Sequence, residues 1–253
     1  MNKYEMLQDD KIEVGGRTLY RIRALKDFKD VKAGDLGSYI EGEKNLSQDG
    51  DCWVYGNARV FGNARVFGNA RVFWNARVCD NAYVCGNAYV FDNACVCGNA
   101  CVCGNAYVYD NARVCDNAYV YGNARVYDNA RVYGNAYVYG NACVCDNARV
   151  CDNAKVFDNA KVFDRAEVYG SAKISKANDI LCIAPIGSRN DVTTFFKTKD
   201  NNICVKCGCF TGTIDNFLGA VEETHGENKH AKAYKLACEL ARVQIDLEDK
   251  INE

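Results

Sequence analysis

Apolar and small residues recur with a period of six through the middle of the chain. The units read Val-(Tyr/Phe/Cys)-(Gly/Asp)-Asn-Ala-(Arg/Tyr/Cys/Lys) and run from Val54 to Val168. Twenty valines stand six apart, Ile174 and Ile180 continue the series, and Arg165, Ser171 and Lys176 mark its decay. Within a unit, Ala58-Arg59-Val60-Phe61 alternates in the two-residue rhythm of a strand, with Ala and Val facing in and Arg and Phe facing out. Gly62-Asn63 then predicts a corner, because Gly, Asn and Asp tolerate left-handed backbone and bond to their own backbone in turns.

A slower period lies over the first, at the third position of the unit. One corner reads Gly68, Gly86, Gly104, Gly122, Gly140; a second reads Asp92, Asp110, Asp128, Asp146, Asp164; the third alternates Gly62, Asp80, Gly98, Asp116, Gly134, Asp152, Gly170. Three units therefore close one triangular turn of 18 residues. With rungs about 4.8 Å apart, twenty units make nearly seven coils and a prism on the order of 33 Å long, cored by columns of Val and Ala.

The Val-x-Gly-Asn-Ala repeat resembles the hexapeptide pattern of the trimeric LpxA-like superfamily. With the flanks Gly34-Asp35-Leu36-Gly37 and Asn45-Leu46-Ser47-Gln48 it is similar to the YdcK type of bacterial and phage proteins. The resemblance implies a mainly β fold: a single-stranded left-handed parallel β-helix with three hexapeptides per coil, which assembles side by side into trimers. Handedness rests on the resemblance alone.

An open solenoid exposes its core columns and strand edges at both ends, so caps are expected there. Residues 1–50 predict an N-terminal β cap, with two strands in 11–25 around Gly15-Gly16 and an irregular first coil over 31–50. The β-helix occupies 51–177. Residues 178–253 predict a small α+β cap with strands at 180–186, 192–197 and 203–210. A helix capped by Thr213 follows through 224, and a second spans 228–246 with Tyr234, Ala237, Cys238, Ala241 and Ile245 on one face.

Composition then narrows the function classes. Among 253 residues, 31 Lys+Arg oppose 33 Asp+Glu, so net charge gives no reason to bind nucleic acid or anionic membrane. No run of about 18 apolar residues is present, and residues 1–10 are polar and acidic; a cytoplasmic chain is expected, with its sixteen cysteines held as thiols. Arg59, Arg77, Arg113, Arg131 and Arg149 form a column, but Asp110, Asp128 and Asp146 each precede an Arg by three residues, which predicts self-neutralisation rather than a nucleic-acid footprint. Acyltransferases of the resembled superfamily use a His from a coil as general base, and this repeat has none; His225 and His230 lie beyond it.

A non-enzymatic scaffold or interaction module is therefore the leading expectation. Tyr83/Cys85, Cys101/Cys103, Tyr119/Tyr121 and Tyr137/Tyr139 give four consecutive rungs of the second face without a charge, bracketed by Arg65 and Lys155. Such a surface calls for a second copy, a protein partner or a flank folded over it. On the first face, Cys79, Cys97 and Cys115 form a column with Cys95 beside it, suited to soft metals or oxidative cross-linking, or simply to packing. The alternatives to a scaffold are a divergent hexapeptide transferase, or an enzyme or metal protein with its site after residue 200. There Cys204-x-x-Cys207-x-Cys209 with His225 and His230 has the composition of a zinc site. If 203–210 is one strand, however, Cys207 and Cys209 share a face and Cys204 points away. Cys207 or Cys209 activated by His225 would be a nucleophile, and Arg189 in the loop 187–191 is a candidate anion contact. No cofactor is expected under the leading reading, and zinc is the one cofactor the alternatives would bring.

Overall fold

Each repeat supplies a two-residue strand, made of its outward residue and its valine, and one corner. Twenty-one such strands run from β4 (Trp53–Val54) to β24 (Lys173–Ile174). In the computed structural model, which describes residues 2–247, each of these strands except the last three pairs in parallel and in register with the strand three units on. Arg113 meets Arg131 and Val114 meets Val132, for example. The result is a three-faced β-solenoid. Its first face has eight parallel rungs, from β3 (Leu36–Ile40) to β23 (Glu167–Val168); the second runs from Arg65–Val66 to Lys173–Ile174, and the third from Trp53–Val54 to Lys161–Val162. The Val and Ala columns are buried throughout and form one continuous core.

The corners explain the rest of the repeat. Its third residue has left-handed backbone: a Cβ at Gly104 (φ +69°) would meet Gly122 N at 2.9 Å. Asp takes the same conformation at Asp110 (φ +57°), where the carboxylate accepts from the Asp128 N–H at 3.4 Å. The following Asn stacks on its copy in the next coil, as in Asn63 to Asn81 (3.1 Å), Asn81 to Asn99 (3.1 Å) and Asn99 to Asn117 (2.9 Å), each amide donating to the next carbonyl oxygen. This corrects the expectation that Asp110, Asp128 and Asp146 neutralise the Arg column. Their carboxylates bond to backbone N–H groups of the next coil, and among the described residues none pairs with Arg113, Arg131 or Arg149. Arg149 is bridged instead by Glu167 at 3.0 Å.

At the N-terminal end, β1 (Tyr4–Val14) and β2 (Arg17–Ala24) form an antiparallel hairpin that joins the first-face sheet through β3. The first strand begins seven residues before the predicted 11 and absorbs the acidic stretch through a register shift between Leu7 and Lys11. Tyr4 is buried and Met6 packs on the core. Lys3 is also buried, with its ammonium donating to the Cys52 carbonyl at 2.9 Å and lying 3.2 Å from the Cys52 sulfur. Burial lowers its pKa against the opposing pull of Cys52. Ile40, Leu46 and Val54 complete the irregular first coil, all fully buried.

At the other end Ile174 is the last core residue of the repeat. Ile180 does not continue the series: it opens β25 (Ile180–Ile186), after a short turn (Ala177–Asp179) in which the buried Asp179 carboxylate accepts from Ser175 N (2.8 Å) and Lys176 N (3.0 Å). β25, β26 (Asp191–Lys197), β27 (Ile203–Cys207) and β28 (Phe210–Thr213) form an antiparallel sheet in chain order. Consecutive phenylalanines show how it sits: Phe196 belongs to the solenoid core, while Phe195 packs under the helices α1 (Ile214–His225) and α2 (Lys229–Gln244). Thr213 and Asn228 cap those helices through their side-chain oxygens, and the predicted buried face of the second one is buried. The predicted strand 203–210 is in fact a hairpin, broken at Gly208 (φ +59°). The end of the segment 178–253, residues 248–253, lies outside the described residues.

Two neighbouring substitutions separate the inward from the outward track. Val114→Ala is expected to destabilise by about 2–3 kcal/mol, through lost burial and the cavity left behind. Arg113→Ala should stay within about 0.5 kcal/mol. Urea unfolding followed by circular dichroism measures both.

Candidate functional site: the aromatic and thiol face

Strict register converts the 18-residue period into rows of like side chains. On the second face Tyr119 stacks on Tyr137 (ring centroids 5.1 Å, planes 6° apart) and Tyr121 on Tyr139 (4.9 Å, 2°), and Phe157 continues that row. Phe67 meets Tyr83 edge-on at the N-terminal side, and Lys155 lies over the Tyr137 ring at the other. At the N-terminal edge Leu46 bridges Val66 in parallel, the strands of both flanks pair in other sheets, and Tyr83 and Tyr119 each remain 39% exposed. The four uncharged rungs are thus an open surface in the chain, with the alternative of a covering flank not realised among the described residues.

Between the tyrosine rungs sit Cys85, Cys101 and Cys103, all half-buried, with their sulfur atoms within 4.8 Å of one another. The three thiols do not titrate alike. Contacts from Cys101 and Cys85 hold the Cys103 thiol far below the ordinary thiol range, at about 3. At Cys85 the interaction with Cys101 pulls down, but the opposing interaction with Cys103 and burial win and push it up to about 11. Cys101 is raised, by Cys103 first, then by Cys85 and burial. The mutual contacts of the triad thus lower Cys103 and raise its two neighbours.

On the first face Cys79, Cys97 and Cys115 form a column with Cys95 beside it, and Cys95 also interacts with Cys97. Three sulfurs in a straight column span two rung spacings, about 9.6 Å, too far for one ion to bind the outer pair. Cys79 instead interacts with Cys95 and Cys97, which raise its pKa together with burial. Cys97 interacts with Cys115, yet is lowered overall by Cys79 and Cys95. The compact group is the triangle on the second face.

After residue 200 the predicted ligands are dispersed. Cys204 packs against the solenoid core and Cys207 against the helical side. Cys209 lies on the exposed hairpin turn, so it does not continue the strand that carries Cys207. Cys207 donates to the Tyr234 hydroxyl at 3.5 Å and accepts from Thr193 Oγ1 at 3.2 Å. His225 Nε2 lies 3.4 Å from Ser188 Oγ, and its ring is 5.8 Å from that of His230. Cys207, His225 and Arg189 do border one small cavity of about 200 Å³, with Tyr234 among its walls. Among the described residues the Cys207 thiol bonds to Thr193 and Tyr234 rather than to the His225 ring, and this set forms no compact group of three metal-ligating side chains. The Arg189 guanidinium lies over Gly208, where a Cβ would come within 2.6 Å of it.

Two surfaces escaped the sequence reading. The third face carries a continuous ring stack, Phe73, Phe91, Tyr109 and Tyr127, with centroids 4.8–4.9 Å apart. Applying the 18-residue spacing to that face would have found it. Beside it Trp74 replaces the corner Gly or Asp, takes left-handed backbone (φ +58°) and stays 53% exposed. The second surface is the outer stripe of α2, Leu236, Leu240 and Val243, exposed at positions spaced four and three apart.

Comparison with known proteins bears on the repeat. Residues 54–66 and, in overlapping matches, 112–146 match the family described as the YdcK Beta solenoid repeat. A stretch of 37 residues is 49% identical to a protein of Escherichia coli (strain K12) named "Uncharacterized acetyltransferase YdcK". That match covers 15% of this chain and 11% of the relative. No helix of the described residues is long and apolar enough to cross a membrane.

The unequal thiols give a direct test. Alkylation with iodoacetamide, mapped by mass spectrometry, should label Cys103 ahead of Cys85 at neutral pH. Cys103 labelling should hold as pH falls toward its lowered pKa, whereas Cys85 labelling should rise only as pH approaches about 11.

Proposed function

We propose that the protein is a non-enzymatic β-solenoid scaffold that associates with further copies of itself through the second face. The observation carrying this reading is the open surface of Tyr83, Tyr119, Tyr121, Tyr137 and Tyr139 with Cys85, Cys101 and Cys103, four rungs without a charged side chain. Tyrosine-rich, charge-depleted surface is characteristic of interface cores. A rigid face loses little conformational entropy on binding, because its rings are already held in stacks. The resemblance of the six-residue repeat to LpxA-like hexapeptide proteins supports side-by-side trimers; a different protein partner on the same face is the other form this reading takes.

The acetyltransferase named among the relatives does not redirect this reading. Its similarity is confined to 11% of its length, and this repeat carries no His to serve as base. The C-terminal residues Cys207, Cys209 and His225 give an enzyme little support, since Cys209 is on a turn and Cys207 is engaged with Tyr234.

The double substitution Tyr119→Glu with Tyr121→Glu places two carboxylates in the middle of the face. The expected result is conversion of a discrete oligomer to monomer, read by light scattering in reducing buffer, with the circular dichroism spectrum unchanged. An unchanged mass would remove the face as the self-association surface.

A further inference from the structure

We propose that Cys85, Cys101 and Cys103 form a three-sulfur site for a soft, thiophilic metal ion, and that Cu(I) is the ion this ligand set fits. The proposal goes beyond the scaffold reading and does not depend on it. It begins from the lattice that the solenoid imposes on side chains. Along a strand, residues two apart point the same way; across rungs, residues 18 apart are neighbours. Cys101 and Cys103 are the first kind of pair and Cys85 and Cys103 the second, so the three occupy three corners of one small rectangle. Tyr83, paired with Cys101, holds the fourth.

The sulfur atoms lie within 4.8 Å of one another. Metal–thiolate bonds of about 2.3 Å require sulfurs about 4 Å apart around a trigonal ion. Side-chain adjustments of under about an ångström close that gap without moving the backbone, which is tied to the next rung at each cysteine: Cys85 N to Val102 O (2.9 Å), Cys101 N to Ala118 O (2.9 Å) and Cys103 N to Val120 O (3.0 Å). The ligand set then selects the ion. Structural zinc is almost always bound by four ligands, and no His, Asp or Glu joins this group. An all-thiolate site of three favours a soft cation such as Cu(I).

The corners add a second argument. Cys79 and Cys145 are each followed by an aspartate whose carboxylate accepts from the thiol, at 3.8 and 3.3 Å, which favours the protonated form. Cys85 and Cys103 are followed by Gly86 and Gly104, so no carboxylate opposes ionisation there. On metal binding the thiols release their protons to solvent, and no electron is exchanged when the ion arrives as Cu(I).

The test uses the full chain, reduced and kept free of oxygen, titrated with Cu(I) in the presence of a competing Cu(I) chelator. X-ray absorption then counts the sulfurs around bound copper. The expected result is one ion per chain withheld from the chelator by three sulfurs. Cys103→Ser and, separately, Cys85→Ser should weaken it by more than about tenfold, while Cys151→Ser, outside the group, changes nothing. Circular dichroism confirms folding, and the second variant carries the test if the first does not fold. The proposal is overturned if the chelator strips all copper from the parent chain, if both folded variants keep the parent affinity, or if Cys97→Ser rather than these two abolishes binding. Zinc held by four sulfurs in competition with Cu(I) would equally overturn it.

Discussion

Every other feature of this molecule depends on one constraint, the in-register stacking of each residue on the residue 18 positions later. Rungs stand about 4.8 Å apart, so a side chain's principal neighbour is a copy of its own position. Only residue types that tolerate themselves at that distance suit the repeat. An Asn amide is both donor and acceptor and forms an unbroken ladder, as from Asn63 to Asn117. Aromatic rings lie nearly parallel, with planes 2–6° apart in the rows from Phe91 to Tyr127 and from Tyr119 to Tyr137. Val and Ala pack on themselves without polar cost. Arg and Asp are the misfits, and each is handled differently. The Arg column is outward, where solvent screens it, and its last member pairs with Glu167. Stacked aspartates take backbone N–H groups of the next coil.

The same constraint makes the ends the expensive part of the fold, since the terminal rungs have a neighbour on one side only. Both ends meet the difficulty with buried polar groups as well as apolar ones. Lys3 satisfies carbonyls of the first coil at Gly50 and Cys52, and Asp179 satisfies the N–H groups that leave the last one. Phe196 then closes the core column while Phe195, one residue earlier, serves a second small core. The C-terminal segment is therefore a cap on one side of its sheet and an independently packed layer on the other.

How much of this was legible follows from where local pattern suffices. The repeat, its three faces and its inward columns were readable because period two, six and 18 each have one geometric meaning, and the helices after Thr213 and Asn228 were readable from cap and face. The first strand was not, because Tyr4 and Met6 are separated from the rest of β1 by an irregular register; alternation is a poor guide across a bulge. Gly208-Cys209 read as strand interior, although Gly in a strand often marks a break. That misreading placed Cys209 beside Cys207. In the thiol site, the columns were visible, but which three sulfurs converge depends on adding the two-residue period to the 18-residue one. Cys85 with Cys103 supplies one edge of the triangle and Cys101 with Cys103 the other.

In the regular part of the solenoid every coil follows the last without an inserted loop, and the cavity of about 490 Å³ beside Arg125, Tyr127, Cys143 and Lys161 is an open one on the third face. Chemistry must therefore reside on its faces or at its ends, and each face carries a distinct track. The first is dominated by Arg, the second by Tyr and Cys, the third by stacked Phe and Tyr. Because backbone bonds between coils hold each track rigidly, a ligand or partner that matches the rung spacing meets a surface already in its bound form. Binding to a face held in this way forfeits little ordering entropy. The repeat's monotony is what supplies that pre-organisation: variation is confined to outward positions, where it changes recognition without disturbing the Val and Ala columns beneath.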